Sequence, residues 1–163
     1  SFEAEGVVEV AKIVFSSSAS VYDLESSPYA KTKAIDEELF LEKRDKINSV
    51  CFRFFNIYGH GQNKAYTGVI TKFLDDVKTG KLTIYGDGYQ TRDFIHVNDI
   101  CNAIIASIQT DLSEILICDI GTGKETRINE LAELIIRLSK NKCIIRYDNE
   151  RKEVRTLVRS SPR

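Results

Sequence analysis

The sequence predicts an α/β fold, on two observations. Short apolar runs of strand length alternate with longer segments whose apolar residues recur at helical spacing. Glycine, proline or a capping residue marks most junctions between them. Lys12 to Ser18 reads as a buried strand ending in a polar turn. Tyr29 to about Arg44 reads as a helix, with Pro28 before it and an apolar face of Ala30, Ala34, Ile35 and Leu39. Ser49 to Phe55 is a second strand, and Gly59 to Asn63 a loop. Val69 to Lys78 is helical and stops at Gly80. Leu82 to Tyr85 is a brief strand closed by the turn Gly86-Asp87-Gly88. Arg92 to Val97 is extended, and Asn98 is placed to cap a helix carrying Ile100, Ala103, Ile104, Ser107 and Ile108 on one face. Ile115 to Cys118 is a strand ended by Gly121-Thr122-Gly123. Thr126 is placed to cap a helix with Ile128, Leu131, Ala132, Ile135 and Leu138 at helical spacing. Cys143 to Tyr147 is the last strand, and the tail from Asp148 is polar and irregular. Gly6 to Ala11 reads as helical and runs into the first strand without the ~2–6 residues that an α-to-β connection normally takes.

Composition narrows the function. The 163 residues hold 42% hydrophobic and 29% charged side chains, the balance of a soluble globular domain with its own core. A net charge of -1 gives no basic footprint for nucleic acid, so a bound anion would be held by a few placed arginines. No apolar run is long enough for a membrane span, and the acidic start, Ser1-Phe2-Glu3-Ala4-Glu5, is not that of a signal peptide. Cys51, Cys101, Cys118 and Cys143 are widely spaced in apolar runs rather than set as CxxC pairs. They read as buried free thiols of a cytoplasmic protein, not as metal ligands.

The sharpest chemical signal is Tyr29-Ala30-Lys31-Thr32-Lys33, with Ser18 upstream. Four residues apart on a helix, Tyr29 and Lys33 share a face. A phenol, with a pKa near ~10, is a poor base at neutral pH, but a nearby ammonium stabilises the phenolate and lowers that value. The pair could then remove a proton from an alcohol hydroxyl while hydride leaves its carbon. A serine hydroxyl at a neighbouring strand end could bond the same oxygen. Alone, Tyr-x-x-x-Lys is common on helix surfaces. His60 and His96 read as structural or solvent-facing, and Asp93 as a holder of the strand–helix corner.

The surrounding blocks carry more. Ser16-Ser17-Ser18-Ala19-Ser20-Val21-Tyr22, Ser27-Pro28-Tyr29-Ala30-Lys31-Thr32-Lys33 and Arg53-Phe54-Phe55-Asn56-Ile57-Tyr58-Gly59 come in that order. Ile84-Tyr85-Gly86-Asp87-Gly88-Tyr89-Gln90-Thr91-Arg92-Asp93-Phe94-Ile95-His96-Val97 follows, then Asp119-Ile120-Gly121-Thr122-Gly123. In this order they resemble successive blocks of the extended short-chain dehydrogenase/reductases, specifically the UDP-glucose 4-epimerase-like nucleotide-sugar epimerases, over nearly the whole chain. The resemblance implies part of a Rossmann-type doubly wound parallel sheet plus a smaller C-terminal α/β substrate-binding domain. Residues 1–57 would be the C-terminal part of the NAD-binding domain. Residues 58–163 would be mainly the substrate-binding domain, with some segments returning to the first.

The resemblance also implies roles. Tyr29 is the acid/base; Lys33 lowers its pKa and holds the nicotinamide ribose; Ser18 orients the sugar. Ser16, Tyr29, Lys33 and Phe55 would meet NAD. Ser18, Asn56, Val69, Tyr85, Arg92 and Arg151 would meet a nucleotide-sugar, of the UDP-sugar kind, with Asn56 and Arg92 at the diphosphate and Tyr85 near the base. Arg151 matches less closely, because Arg151-Lys152-Glu153-Val154 is a residue short of the family motif. The reaction implied is transient oxidation of a sugar carbon, usually C4, and return of hydride to the opposite face. A homodimer is implied, with Ile35, Leu39 and Leu41 on the surface that packs against the partner.

The departures are specific. Val21-Tyr22-Asp23 is followed almost at once by Ser27-Pro28-Tyr29, where the family has a longer connection, and Asp23 stands where a glycine is expected. The chain has no Gly-x-x-Gly-x-x-Gly, whose amides and helix N-terminus hold a cofactor pyrophosphate. It therefore reads as part of a larger protein that lacks the front of the NAD-binding domain. Ala19-Ser20 disfavours a 4,6-dehydratase, which carries Asp-Glu there. A nucleotide-sugar reductase or decarboxylase stays open, as does a non-catalytic nucleotide-sugar-binding protein.

Overall fold

Three parallel strands form the first sheet of the computed structural model, which describes residues 12–43, 48–62, 68–110 and 116–148. Their order is β1 (Ile13–Ser18), β2 (Ser49–Phe54) and β6 (Leu116–Ile120). Parallel neighbours need crossover connections, here made by helices, so the alternation read from the sequence becomes a parallel α/β sheet. Val50, Cys51 and Phe52 are buried in the central strand. The predicted helix after β1 is α1 (Pro28–Glu42). Ser27 caps it by accepting from the Ala30 amide at 3.2 Å, and Pro28 sits in its first turn. The short link before it is closed by a turn in which the amide of Ser26 donates to the Asp23 carbonyl at 3.1 Å.

A second sheet joins β3 (Asn56–Tyr58), β5 (Thr91–His96) and β7 (Glu125–Arg127). β3 runs parallel and β7 antiparallel to β5. Neither β3 nor β7 shows a strand pattern in the sequence, because three-residue strands leave too few positions for alternation. A third pair, β4 (Lys81–Tyr85) with β8 (Ile144–Asp148), is parallel. The main apolar cluster lies between this pair and two helices, α2 (Val69–Asp76) and α4 (Ile128–Ser139). It contains Phe73, Leu82, Ile84, Leu131 and Ile135. Burying each such side chain contributes ~1.5–3 kcal/mol relative to leaving it exposed.

Several expectations are corrected. The helix α3 (Val97–Gln109) is capped by His96, whose Nδ1 accepts the Asn98 amide at 3.2 Å, not by Asn98. Likewise α4 is capped at Arg127, not Thr126, because the β5–β7 ladder holds the chain extended through Arg127. Leu138 is 70% exposed and Ile108 58% exposed, so both leave the faces assigned to them. On α1 the buried residues are Ala30 and Glu37, while Ile35 and Leu39 face outward. All four cysteines are free, but only Cys51 is buried and Cys101 is exposed. The expected helix before β1 and the tail after Asp148 lie outside the described residues. Among the described residues no helix is long and apolar enough to cross a membrane, and no cluster of metal-ligating side chains occurs.

Two glycines are fixed by close approach. A Cβ on Gly121 would stand 2.6 Å from Asp93 Oδ2 and 3.1 Å from the Phe55 ring. Gly88 has a φ of +75°, and a Cβ there would meet Asn129 Oδ1 at 1.8 Å. The first lets the end of β6 reach Asp93. The second lets the turn after β4 dock on the start of α4, where the Asn129 amide donates to the Gly88 carbonyl at 3.0 Å.

Candidate active site

The C-terminal end of β1 and the first turns of α1 bring the predicted acid–base residues together. Lys33 lies one turn beyond Tyr29, and its Nζ stands 6.0 Å from the centre of the Tyr29 ring. The same ammonium donates to the Ser16 carbonyl at 2.9 Å and lies 5.1 Å from the Phe15 ring. Phe15 in turn stacks on Phe40 of α1, with centroids 5.5 Å apart. Tyr29 is 53% exposed, so its ring is open to a ligand. Ser18 Oγ accepts from the Ser20 amide at 3.2 Å and lies 2.9 Å from Ser20 Oγ, so it caps the short 3₁₀ turn of residues Ala19–Tyr22. No hydrogen bond joins Ser18 to Tyr29 among the described residues.

These groups line the carboxyl edge of a parallel strand, where ligands of open α/β sheets bind. A phenol and an ammonium held by a serine carbonyl stand near each other there, groups that could meet the nicotinamide end of NAD. Phe55 has a buried side chain, so only its main chain is available on that side.

Of the residues expected to meet a nucleotide-sugar, Asn56 and Arg92 lie in the second sheet and Val69 opens α2. β5 pairs with β3 so that Asn56 stands beside Phe94 and Tyr58 beside His96. Residues at alternate positions share a face, so Arg92, Phe94 and His96 line up with Asn56 and Tyr58. The Tyr58 and His96 rings meet edge to face at 5.2 Å. A cavity of about 100 Å³ opens there, lined by Asn56, Tyr58, Gln62, Val69 and Phe94 among others. Asn56 and Val69, predicted separately from the sequence, are thus brought together. Asn56 Nδ2 donates to the Asp93 carbonyl at 3.1 Å. Arg92 lies one step along the same strand face, its guanidinium donating to the Thr91 carbonyl at 2.8 Å. Tyr85 ends β4, with Lys72 Nζ 5.3 Å from its ring. Arg151 lies outside the described residues.

Asp93 points to the opposite face of β5 and is fully buried. Its carboxylate accepts from the Thr122 amide at 3.0 Å, the Thr122 hydroxyl at 2.6 Å and the Gly123 amide at 2.8 Å. It ties the second sheet to the loop after β6, a wider reach than the strand–helix corner expected of it. His96 is structural, as its cap bond and ring contact require, and His60 is exposed in a turn.

Sequence reasoning missed a polar network beneath the Tyr29–Lys33 pair. Glu37 accepts from Ser17 Oγ at 2.5 Å, from Arg53 Nε at 3.0 Å and from an Arg53 terminal nitrogen at 2.5 Å. The other terminal nitrogen of Arg53 donates to the Tyr22 hydroxyl at 3.0 Å, and that hydroxyl donates to Asp119 at 2.7 Å. Burial works to raise the Glu37 pKa. The hydrogen bonds from Arg53 and Ser17 outweigh it and leave the carboxyl below its ordinary value. Burial and the bond to Asp119 push the Tyr22 phenol up. The available signal was an acid one turn past Lys33, on the inward face of the helix.

Comparison with known proteins gives the family. A family model described as the NAD dependent epimerase/dehydratase family matches residues 3–118. A Methanocaldococcus jannaschii protein provisionally described as a UDP-glucose 4-epimerase is 38% identical over 114 residues, covering 67% of this chain and 36% of that protein. A UDP-N-acetyl-alpha-D-glucosaminuronate decarboxylase of Bacillus cytotoxicus is 32% identical over 149 residues, 78% of this chain and 46% of its own length. Among solved structures, a UDP-N-acetylglucosamine 4-epimerase from Methanobrevibacter ruminantium M1 in complex with UDP-N-acetylmuramic acid superposes with a TM-score of 0.80 at 32% identity. That match covers 90% of this chain and 53% of the other. The chain thus spans about a third to a half of the length of the curated relatives it matches.

Proposed function

Because the chain belongs to the NAD dependent epimerase/dehydratase family, we propose that its protein inverts a sugar carbon of a nucleotide-sugar, a UDP-sugar at C4, with NAD as cofactor. The observation that carries the proposal is the Lys33 ammonium, tethered to the Ser16 carbonyl at 2.9 Å and set beside the ring of an exposed Tyr29. When bound, NAD supplies a reversible hydride acceptor. Lys33 stabilises the Tyr29 phenolate, which takes the proton from the sugar hydroxyl to become the phenol and gives it back when hydride returns. Ser18 turns its hydroxyl from the 3₁₀ cap to the sugar oxygen. Ser16 and the Phe55 main chain complete the cofactor side.

Arg92 and Arg151 hold the diphosphate, whose oxygens suit guanidinium forks. Asn56 and Val69 bound the neighbouring cavity, and Tyr85 lies toward the base. Residues 1–57 belong to the NAD-binding domain and residues 58–163 mainly to the substrate-binding domain. Ile35, Leu39 and Leu41, all exposed on α1, form the surface of a homodimer. The four free thiols suit the reducing cytoplasm.

The test is to incubate the full-length protein and NAD with UDP-glucose, UDP-N-acetylglucosamine or UDP-glucuronate and follow the sugar by proton NMR. Appearance of the C4 epimer is the expected result. Release of carbon dioxide from the uronate would replace epimerisation by decarboxylation, the second reading, which the similarity to the Bacillus cytotoxicus decarboxylase favours. Binding without any turnover would reduce the protein to a nucleotide-sugar-binding module.

A further inference from the structure

We infer that Glu37 and Arg53 are positioning residues: their ion pair sets the height and rotation of the helix that presents Tyr29 and Lys33. This rests on the reading of that pair as the proton-transfer couple. Glu37 is four residues beyond Lys33 and eight beyond Tyr29, on the same side of α1. It is the one charged side chain that α1 buries, at 5% exposure. Its partners belong to the sheet. Ser17, Arg53 and Asp119 are register neighbours on β1, β2 and β6, and so form a single row across all three strands. Ser17 Oγ and two nitrogens of Arg53 bond Glu37, while the third nitrogen of Arg53 bonds Tyr22, which bonds Asp119.

The physical case is one of direction. The inward contacts of α1 also include Ala30 and the Phe15–Phe40 stack. Small apolar surfaces tolerate sliding and rotation. A two-pronged guanidinium–carboxylate pair does not, since both its length and its plane are fixed. Apolar residues of the same volume would hold a helix on a sheet at no greater cost than a buried ion pair. The pair therefore contributes orientation rather than mere adhesion. Lys33 is sensitive to that orientation. Its ammonium must reach both the Ser16 carbonyl at 2.9 Å and the Tyr29 ring at 6.0 Å, with the Asp36 carboxylate of the same helix 3.9 Å away, and Ser16 is the residue before Ser17. Loss of the Glu37 anchor lets the Lys33 turn of α1 drift from β1, and the phenolate loses part of its counter-charge.

The test compares Glu37→Gln and Arg53→Lys in full-length protein loaded with NAD, on whichever nucleotide-sugar the wild type turns over fastest. Arg53→Lys keeps the charge and loses the fork, and Glu37→Gln keeps the shape and loses the charge, so each breaks the two-pronged ion pair in its own way. The expected result is a fall in kcat of about tenfold with KM within about twofold. The acidic limb of the kcat–pH profile should move upward by about half a unit or more, because less positive charge lies near the phenol. A lowered melting temperature with an unmoved limb in whichever variant folds would overturn the inference, since a purely structural role does not alter the ionisation of Tyr29. Tyr29→Phe, run in parallel, separates the two levels. If it is inactive and the limb of the Glu37 and Arg53 variants is unmoved, the inference alone fails. If Tyr29→Phe keeps its turnover, the acid–base reading fails and this inference with it.

Discussion

The Lys33 ammonium donates to the main-chain carbonyl of Ser16 at 2.9 Å, so the end of β1 decides where the charge beside Tyr29 stands. A lysine on a half-exposed helix face would otherwise sample many rotamers, and fixing it costs entropy that this bond offsets. Here its stem lies along the Phe15 ring, and its head has a fixed acceptor. The chemistry expected of Tyr29 depends on that fixed neighbour.

Tyr29→Phe should abolish turnover without unfolding the protein. The hydroxyl is the proton acceptor, and the exposed ring contributes little packing. General acid–base catalysis contributes ~10²–10⁴-fold, so a residual rate above about a tenth of wild type would remove Tyr29 from the role. The assay is steady-state turnover of the full-length protein, with circular dichroism and bound NAD as the controls.

Arg92→Ala should weaken nucleotide-sugar binding and leave NAD binding intact. Arg92 lies on the strand face that also carries Phe94 of the Asn56–Val69 cavity, in the second sheet rather than beside Lys33. A charge-assisted bond to phosphate is worth ~1.5–3 kcal/mol, hence at least about a tenfold loss in affinity. Arg92→Lys should restore only part of it, because a point charge cannot reproduce the fork. Calorimetric titration with uridine diphosphate reads the difference. Equal affinities in wild type and Arg92→Ala would take the residue out of the site.

Acid should unfold the protein partly through Glu37. Its carboxyl lies below the ordinary value of 4.5 in the folded chain, so the folded state binds its proton less readily than the unfolded state. The stability this contributes is fully present above about the unfolded value and is lost as pH falls through the folded one. Glu37→Gln should therefore be less stable than wild type at neutral pH, and the gap should close on acidification below the unfolded carboxyl range. Urea midpoints across that range measure it; a gap that stays constant with pH would deny Glu37 this part.

Thiol reagents should label Cys101 first and Cys51 last. Cys101 is exposed on α3, whereas Cys51 has no exposed surface and burial pushes its thiol up to about 12. The thiolate is the reactive species, so Cys51 should stay unmodified at neutral pH until the protein unfolds. Mass spectrometry of peptides after timed alkylation checks the order; early labelling of Cys51 would contradict the burial.

Ile35→Glu with Leu39→Glu should yield a monomer. Both side chains are more than half exposed on α1, at 55% and 53%, and an apolar pair there gains from a second copy of the same helix. Light scattering of full-length wild type at micromolar concentration should give twice the chain mass. A wild-type monomer would leave these residues without the proposed partner.

The sequence by itself determined the order and type of the longer elements, because alternation, caps and glycine stops are local. It also pointed to Tyr29, Lys33 and Arg92 as candidates, since their residue types stand in ordered blocks. It could not place β3 or β7, which are too short to show a period and exist only through their pairing with β5. It missed the caps at His96 and Arg127 because strand pairing, not side-chain preference, decided where those helices begin. Nothing local in the sequence marks Glu37 among the charged residues of its helix. Only the stacking of α1 on the row Ser17, Arg53 and Asp119 turned it inward, where a lone carboxylate would be too costly to bury and a bonded one holds the helix in place. The joining of Asn56 and Val69 across one cavity was likewise decided by tertiary structure, since no local rule relates a strand residue to a helix start beyond the next loop.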